Sequence, residues 1–202
     1  MKLKTLIPKS EVRRIVVERR NEVSSEEIRS KTKRIVDRIT ALDDFVLAKK
    51  IHSYASTKAG EFDTKNLINH MSSSGKAVVI PKLNKQSKTF QHAAFAGWEG
   101  LVKNQEGYYE PSAGFDDDLS DIDLMIVPAM AVSVLGQRVG YGGGYYDQLL
   151  RKVRAVKIVP AFEFQVFDNI ETETHDMRID KIVTELRVIN TREQVRQNSE
   201  PL

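Results

Sequence analysis

The sequence predicts an α/β protein with a mostly parallel central sheet. Positions 50–80 read as a strand, a helix and a strand, which requires a parallel strand pair joined by a crossover helix. Residues 124–128 form the most apolar run of the chain and are the best candidate for the central strand. Strands are also expected at 155–161 and 183–189, so the sheet continues beyond the central strand.

The N-terminal forty residues read as two helices. Apolar positions at helical spacing predict the first helix over 9–21, with Ser10 as its N-cap. Ser24 and Glu27 have the spacing of a capping box. A second helix is therefore expected from Ser24 to about Ile39.

The strand–helix–strand unit has defined ends in the sequence. Its first strand leads into a loop at 56–61. The crossover helix, over 63–73, is expected to stop at Gly75, because glycine ends helices. The strand after it, over 77–80, is expected to close at Pro81.

The remaining segments are more polar. Residues 88–95 are expected to form a strand near an edge of the sheet. Residues 97–121 lack periodicity and read as one long loop, and loops of that length are usually functional or disordered. Residues 191–202 read as a polar tail of a single domain that spans 1–202.

Composition and charge narrow the classes of protein. Hydrophobic residues make up 41% of the 202 and charged residues 29%, which is a globular balance. No apolar run approaches the roughly 18–20 residues that cross a bilayer, and the absence of Cys excludes disulfides, thiolate metal sites and cysteine nucleophiles. The net charge is +3, but residues 1–40 carry twelve basic and six acidic residues, which suggests a polyanionic partner or a solvated helix face.

A glycine-rich loop precedes a predicted helix that begins near Tyr145. It contains Gly140, Gly142, Gly143 and Gly144. Glycine lets a ligand approach the backbone, and the N–H groups that open a helix attract anions. The loop matches neither the Walker motif nor G-x-G-x-x-G. We interpret it as a phosphate cradle; a plain turn before a helix is the alternative, and it explains four glycines poorly.

Charged and aromatic residues flank this loop. Arg138 precedes it and can bind phosphate through two donors. Asp147 lies in the first helical turn, where it either stabilises the helix dipole or binds Mg²⁺, because a carboxylate beside a phosphate is repulsive without a cation between them. Tyr145 and Tyr146 either pack at the helix start or form walls for a flat ring.

The motif at 136–147, GQRVGYGGGYYD, with the Val-Pro pair at 127–128, resembles the signature of the 5-formyltetrahydrofolate cyclo-ligases, also called 5,10-methenyltetrahydrofolate synthetases. Lys9 and Arg13 match the N-terminal K-x-x-x-R of that family. The resemblance extends over most of the chain. It implies a three-layer α/β/α sandwich of the ribose-5-phosphate-isomerase and CoA-transferase type.

The resemblance also implies the activity. The family converts 5-formyltetrahydrofolate and ATP to 5,10-methenyltetrahydrofolate, ADP and phosphate, with Mg²⁺. The formyl oxygen is expected to be phosphorylated and then displaced when N10 of the folate attacks. The expected partner is a small molecule, the folate with or without a polyglutamate tail. A cytoplasmic monomer with no nucleic-acid or membrane partner is expected.

The resemblance, together with the chemistry above, assigns site residues. Arg138 and Tyr145 are the expected catalytic residues. Nucleotide binding is expected from Lys9, Arg13, Arg138, Val139, Gly140, Tyr141, Gly142, Gly143, Gly144, Tyr145 and Tyr146. Folate binding is expected from Ala55, Glu61, Tyr141, Gly142, Gly143, Gly144 and Tyr145. Glu61 is expected to face the pterin, and Asp147 and Asp176 are the expected Mg²⁺ ligands.

The alternative is a non-catalytic nucleic-acid-binding protein that uses the basic N-terminal helices and tyrosine stacking. Such a surface needs neither Asp147 nor a glycine cradle, so those features favour the enzyme. The acidic run 116–118 is expected to be a solvated loop. The histidines lack zinc-site spacing and are expected to be structural or exposed, with His175 the one beside a candidate ligand.

Overall fold

The computed structural model of the chain describes residues 6–116, 118–173 and 176–199. The helices in this part are α1 (Lys9–Asn21), α2 (Ser25–Thr40), α3 (Asp43–Leu47), α4 (Lys65–Ser73), α5 (Tyr145–Lys152) and α6 (Thr191–Ser199). The strands are β1 (Lys50–Ser53), β2 (Ala55–Ser56), β3 (Ala77–Asn84), β4 (Thr89–Ala94), β5 (Leu101–Lys103), β6 (Tyr108–Pro111), β7 (Leu124–Ile126), β8 (Ala131–Ser133), β9 (Arg138–Val139), β10 (Val156–Pro160), β11 (Val166–Phe167), β12 (Lys181–Val183) and β13 (Val188–Asn190).

Seven strands form the main sheet in the order β13-β12-β10-β7-β1-β3-β4. The five inner strands are parallel and both edge strands are antiparallel to their neighbours. The crossover β1–α4–β3 and the central place of β7 confirm the predicted α/β sheet. Polar β4 lies at the edge, as its sequence indicates.

Helices cover both faces of the sheet. Consecutive strand residues point to opposite faces, so the apolar inner strands place apolar side chains on both sides. Ile51, Leu124 and Ile126 belong to one apolar cluster, which includes residues of α2, α3 and α4. Met125 and Val127 belong to a second cluster, which α5 completes with leucine side chains. The result is a mostly parallel sheet between helical layers, as predicted.

Two small sheets adjoin the main one. The first contains β2, β6 and β5, and the second contains β11, β8 and β9. Val12 and Val16 pack the buried face of α1 against the second small sheet in a third apolar cluster. This packing places α1 beside β9 and the glycine loop that follows it. Among the described residues, no helix is long and apolar enough to cross a membrane.

Two predicted helix and strand ends need correction. The residue that precedes α1 is Pro8, whose carbonyl accepts from the Val12 N–H, so Ser10 lies inside the helix and is not its N-cap. Pro81 does not end β3, which continues to Asn84. Pairing of β3 with β1 stops at Val79, before Pro81. On the other side Pro81 lies opposite His92 of β4, whose carbonyl accepts from the Asp116 N–H. The N–H that proline lacks is therefore not needed for the hydrogen bonds of the sheet. The Ser24 capping box is confirmed.

Three other segments have a secondary structure that differs from the predicted one. The segment 97–121 holds β5 and β6, which pair with each other and are too short to show periodicity. The segment 183–189, predicted to be a single strand, instead contains the end of β12, a turn at 184–187 and the start of β13. The Thr184 hydroxyl closes this turn by accepting from the N–H groups of Leu186 and Arg187. The tail at 191–202 contains α6, and Thr191 at its start is buried and donates to the Ile179 carbonyl.

Candidate active site

A cavity of about 700 Å³ opens at the carboxyl ends of the central strands, where open α/β sheets bind ligands. Ala55 at the start of β2, Pro81 within β3 and Pro128 just after β7 line it. The start of α1, the glycine loop and the first turn of α5 form one side. The β3–β4 and β5–β6 hairpins supply further walls. Its volume is within the usual range for small-molecule sites.

The glycine loop joins β9 to α5. Gly142 has φ +105° and Gly144, the residue before α5, has φ +67°, which side-chain-bearing residues rarely adopt. A Cβ on Gly143 would lie 2.4 Å from the Tyr145 ring. Two positions of the loop therefore have backbone conformations that favour glycine, and a side chain at the third would displace the Tyr145 ring. The bare backbone borders the cavity beside a helix N-terminus, where anions bind favourably.

Three cations from distant parts of the chain line this cavity. Arg13 Nε donates to the Gly140 carbonyl at 3.1 Å. Lys9 Nζ lies 2.7 Å from Asp176 Oδ2, and Arg138 Nη2 lies 2.8 Å from Asp147 Oδ2. Helix α1 thus brings its two cations to the loop that Arg138 precedes. The cavity thus brings together three of the residues that are expected to bind nucleotide.

The two candidate metal carboxylates line the same cavity. Each is held by a cation, Asp147 by Arg138 and Asp176 by Lys9. No group of three or more His, Cys, Asp or Glu suited to a metal occurs among the described residues. Mg²⁺ commonly binds one or two carboxylates and completes its shell with waters and phosphate oxygens. The carboxylates present fit a site of that kind.

Aromatic side chains form the wall next to α5. Phe90 on β4 meets Tyr146 edge to face, with 5.1 Å between ring centroids, and Tyr145 at 6.3 Å. The Tyr146 hydroxyl is buried without a hydrogen-bond partner in the described part of the chain, and burial raises the pKa of this phenol. The wall offers flat apolar surface with a buried polar atom.

Glu61 lies in a small recess that adjoins the cavity and shares Tyr54, Pro128 and Tyr141 with it. Its side chain is only 7% exposed, so it is not an ordinary surface loop residue. Its Oε1 atom lies 3.0 Å from Lys58 Nζ and 3.3 Å from Arg20 Nη1. A buried carboxylate between two cations is well suited to accept hydrogen bonds from a ligand.

Tyrosine hydroxyls also face Glu61. Burial first, and the charge of Glu61 second, raise the pKa of Tyr108 and of Tyr141 well above the ordinary phenol value. Sequence reasoning missed Tyr108, which lies in the segment read as a loop, and Lys58. Neither carries a local signal, because β6 brings Tyr108 to the site only through pairing with β2.

The other predicted site residues are distributed as follows. Ala55 is buried and borders the cavity at the start of β2, and Tyr141 on the glycine loop borders both the cavity and the recess. Val139 does not line the cavity. It is fully buried in the third apolar cluster, because side chains alternate along β9 and its neighbour Arg138 takes the cavity side.

The histidines behave as structural or surface residues where they are described. His52 is fully buried on β1 next to His92, with 5.3 Å between ring centroids, and His70 is exposed. His175 lies outside the described residues, as does Asp117 of the acidic run. Asp116 and Asp118 are exposed.

Comparison with known proteins identifies the class to which this fold and cavity belong. Residues 7–185 match the 5-formyltetrahydrofolate cyclo-ligase family. The 5-formyltetrahydrofolate cyclo-ligase of Escherichia coli K12 is 28% identical over 180 residues, which is 86% of this chain and 98% of the relative. A probable 5-formyltetrahydrofolate cyclo-ligase of Schizosaccharomyces pombe is 27% identical over 199 residues, 91% of this chain and 98% of the relative.

A solved structure agrees. The 5,10-methenyltetrahydrofolate synthetase of Aquifex aeolicus superposes with a TM-score of 0.79 at 30% identity, covering 91% of this chain and 93% of that protein. The chain belongs to the 5-formyltetrahydrofolate cyclo-ligase family, and it is an enzyme of that class.

Proposed function

We propose that the chain converts 5-formyltetrahydrofolate to 5,10-methenyltetrahydrofolate at this cavity, with ATP and Mg²⁺, releasing ADP and phosphate. The observation that carries the proposal is the meeting of Lys9, Arg13 and Arg138 at a glycine loop on a helix N-terminus, in one cavity with an aromatic wall. We also propose that the chain acts as a single-domain monomer.

The chemistry explains why ATP is needed. The formyl group on N5 is amide-like, and its oxygen does not leave as oxide at neutral pH. Transfer of a phosphoryl group to that oxygen turns it into phosphate, which departs when N10 attacks the formyl carbon. Such an enzyme contributes mainly positioning and charge neutralisation.

The nucleotide half of the proposed site follows from the cation positions. Lys9, Arg13 and Arg138 are the donors for the phosphate oxygens, and the N–H groups of 142–144 add uncharged donors. Arg138 is only 6% exposed, so its charge acts on a bound phosphate with little screening by water. Tyr145 lies next to this loop and is proposed to border the reacting groups.

Asp147 and Asp176 are proposed to hold Mg²⁺. When Arg138 and Lys9 bind phosphate oxygens, their partners Asp147 and Asp176 become available to the metal. Both carboxylates border the cavity that would contain the phosphates. When bound, Mg²⁺ supplies positive charge to the transferring phosphoryl group. Without phosphate, the two ion pairs keep these carboxylates neutralised.

The folate half is proposed to lie along Tyr54, Ala55 and Tyr141, with Glu61 accepting hydrogen bonds from the pterin. Reduced pterins present an amino group and ring N–H donors that a carboxylate can accept as a pair. The recess of Glu61 adjoins the cavity, which supports this placement.

The nucleic-acid-binding alternative is not supported by the basic residues of α1. Arg14 pairs with Glu11 and Glu18 on its own helix. Arg19 donates to the Phe164 carbonyl, and Lys9, Arg13 and Arg20 turn to the cavity and the recess. These contacts leave α1 without the continuous exposed cationic face that a nucleic-acid backbone requires.

Formation of methenyltetrahydrofolate from 5-formyltetrahydrofolate, followed by its absorbance, tests the proposal. Product is expected only when ATP and Mg²⁺ are both present, with one ADP per product. Product formation without ATP, or none under any of these conditions, would contradict it.

A further inference from the structure

Arg20 on α1 does not line the cavity but contacts Glu61, which lines the recess. We infer that Arg20 is a positioning residue for Glu61, so that a single helix arranges both halves of the active site. The inference rests on the proposed function, in which Glu61 receives the pterin. It adds a residue that does not itself contact ligand and that neither the glycine motif nor the N-terminal K-x-x-x-R pair contains.

The contact between the two residues is largely shielded from water. Arg20 Nη1 lies 3.3 Å from Glu61 Oε1, and the two side chains are 16% and 7% exposed. Lys58 approaches the same oxygen but is 39% exposed. An ion pair strengthens as solvent is excluded, so Arg20 is the less screened of the two partners of Glu61.

The stem of Arg20 also shapes the loop that carries Glu61. A Cβ on Gly60 would lie 2.8 Å from Arg20 Cδ and 3.0 Å from Cγ. Gly60 has φ +74°, and the Glu61 N–H closes the turn by donating to the Lys58 carbonyl. The arginine stem therefore packs against bare backbone next to Glu61 and holds the loop as well as the carboxylate.

The dependence works in both directions. Arg20 Nε and Nη2 are buried and have no hydrogen-bond partner among the described residues. A buried guanidinium needs a counter-charge, and Glu61 is the one that its Nη1 contacts. Loss of either partner thus leaves the other buried with its charge less well compensated.

The spacing on α1 explains how one helix serves two ligands. Lys9, Arg13 and Arg20 are separated by four and seven residues and so share one helical face. The first two line the cavity beside the glycine loop, and Arg20, two turns further on, meets Glu61. Val12 and Val16 are fully buried and fix the rotation of the helix.

Arg20→Gln tests the inference, with Arg19→Gln as the matched control. Arg19→Gln removes the same charge from the same helix, but Arg19 contacts the Phe164 carbonyl and the Phe167 ring rather than Glu61. We expect Arg20→Gln to raise the folate KM on the order of tenfold, the size of a weakened contact to a charged group, with the ATP KM and kcat within about twofold. Arg20→Lys should recover part of the loss, and Arg19→Gln should match the wild-type chain.

A double-mutant cycle separates positioning from general damage. If Arg20 acts through Glu61, Arg20→Gln adds little to the folate KM when Glu61→Gln is already present. Folate binding without ATP, by equilibrium dialysis, should show the same pattern. Thermal melts identify any variant that fails to fold, and the double variant, which removes both buried charges, then provides the comparison with Glu61→Gln.

The outcomes are distinct. An unchanged folate KM in Arg20→Gln, or effects of the two substitutions that simply multiply, would overturn the inference while the wild-type activity stands. Failure of the wild-type chain to form product with ATP and Mg²⁺ would overturn the proposed function instead.

Discussion

At the scale of single residues, the cavity keeps its cations and carboxylates in pairs. Arg138 holds Asp147, and Lys9 holds Asp176, at ordinary ion-pair distances. Pairing limits the cost of placing charge in a partly enclosed site, because an unpaired buried charge is strongly unfavourable. Each carboxylate therefore neutralises a cation of the cavity before any ligand arrives.

Asp147→Asn tests the proposed metal role. The amide keeps the shape of the side chain and removes its charge, so turnover should fall on the order of 10²-fold and the Mg²⁺ concentration needed should rise. Initial rates over a Mg²⁺ titration provide the measurement. Asp37→Asn is the control, because Asp37 is an exposed carboxylate paired with Lys33 on α2. Normal turnover with normal Mg²⁺ dependence in Asp147→Asn would remove the assignment.

At the scale of elements, short segments with unusual backbone carry the site. The glycine loop combines two left-handed residues with the N-terminus of α5. Consecutive backbone N–H groups in such a loop can converge on an anion. The loop is positioned from below by the small sheet that contains β9, against which α1 packs.

Gly142→Ala, compared with Gly75→Ala, tests whether the backbone conformation of this loop matters for ATP binding as well as for stability. No heavy atom lies within 4 Å of an added Cβ, but φ +105° strains any L-residue. We expect about 1–2 kcal/mol lower free energy of unfolding and a raised ATP KM. Gly75 has φ +74° and equally open space around an added Cβ. Gly75→Ala should therefore lower the free energy of unfolding by a similar amount and leave the kinetics unchanged. Denaturation and steady-state kinetics of both variants decide; an unaltered ATP KM in Gly142→Ala would argue against the cradle.

Ser24→Ala tests the helix start that the sequence predicts correctly. The Ser24 hydroxyl accepts from the Glu27 N–H, and the Glu27 carboxylate accepts from the Ser24 N–H. Loss of the cap should lower the free energy of unfolding by about 1 kcal/mol. Ser10→Ala should change it by no more than a few tenths, because Ser10 caps nothing. Equal effects of the two substitutions in chemical denaturation would refute this account of the two helix starts.

At the scale of the whole molecule, a buried histidine links folding to pH. Burial, with a smaller contribution from His92, lowers the pKa of His52 to about 3, whereas an unfolded histidine has a pKa of about 6.5. Between those values the unfolded chain binds a proton that the folded chain does not. The free energy of unfolding contributed by His52 is therefore complete above about pH 6.5 and declines as the pH falls toward 3.

His52→Met tests this linkage by removing the titrating group and keeping an apolar side chain of similar size. From pH 6 to pH 5 the wild-type chain should lose up to about 1.4 kcal/mol more stability than the variant. Urea denaturation at several pH values measures the difference. His70→Gln, at an exposed position, should keep the wild-type pH dependence. Parallel curves for the wild-type chain and His52→Met would show that His52 does not titrate on unfolding.

Much of the fold and the centre of the site could be predicted, and the errors share a physical cause. The crossover β1–α4–β3, the apolar strand β7, and a helix after the glycine motif depend on patterns of neighbouring residues. The strands β5 and β6 were missed because three or four residues show no period and gain their structure from pairing. The side chain of Val139 points into the core rather than the cavity, because strand β9 alternates its side chains between the two.

The sequence by itself determined the α/β class, the capping box at Ser24 and the glycine loop at a helix start, because each depends on residues within a few positions of one another. Only the tertiary structure decided that Lys9 meets Asp176, 167 residues away, and that Arg20 meets Glu61, 41 residues away. Those contacts depend on how α1 packs against the sheets, and packing is set by the whole core rather than by any local pattern.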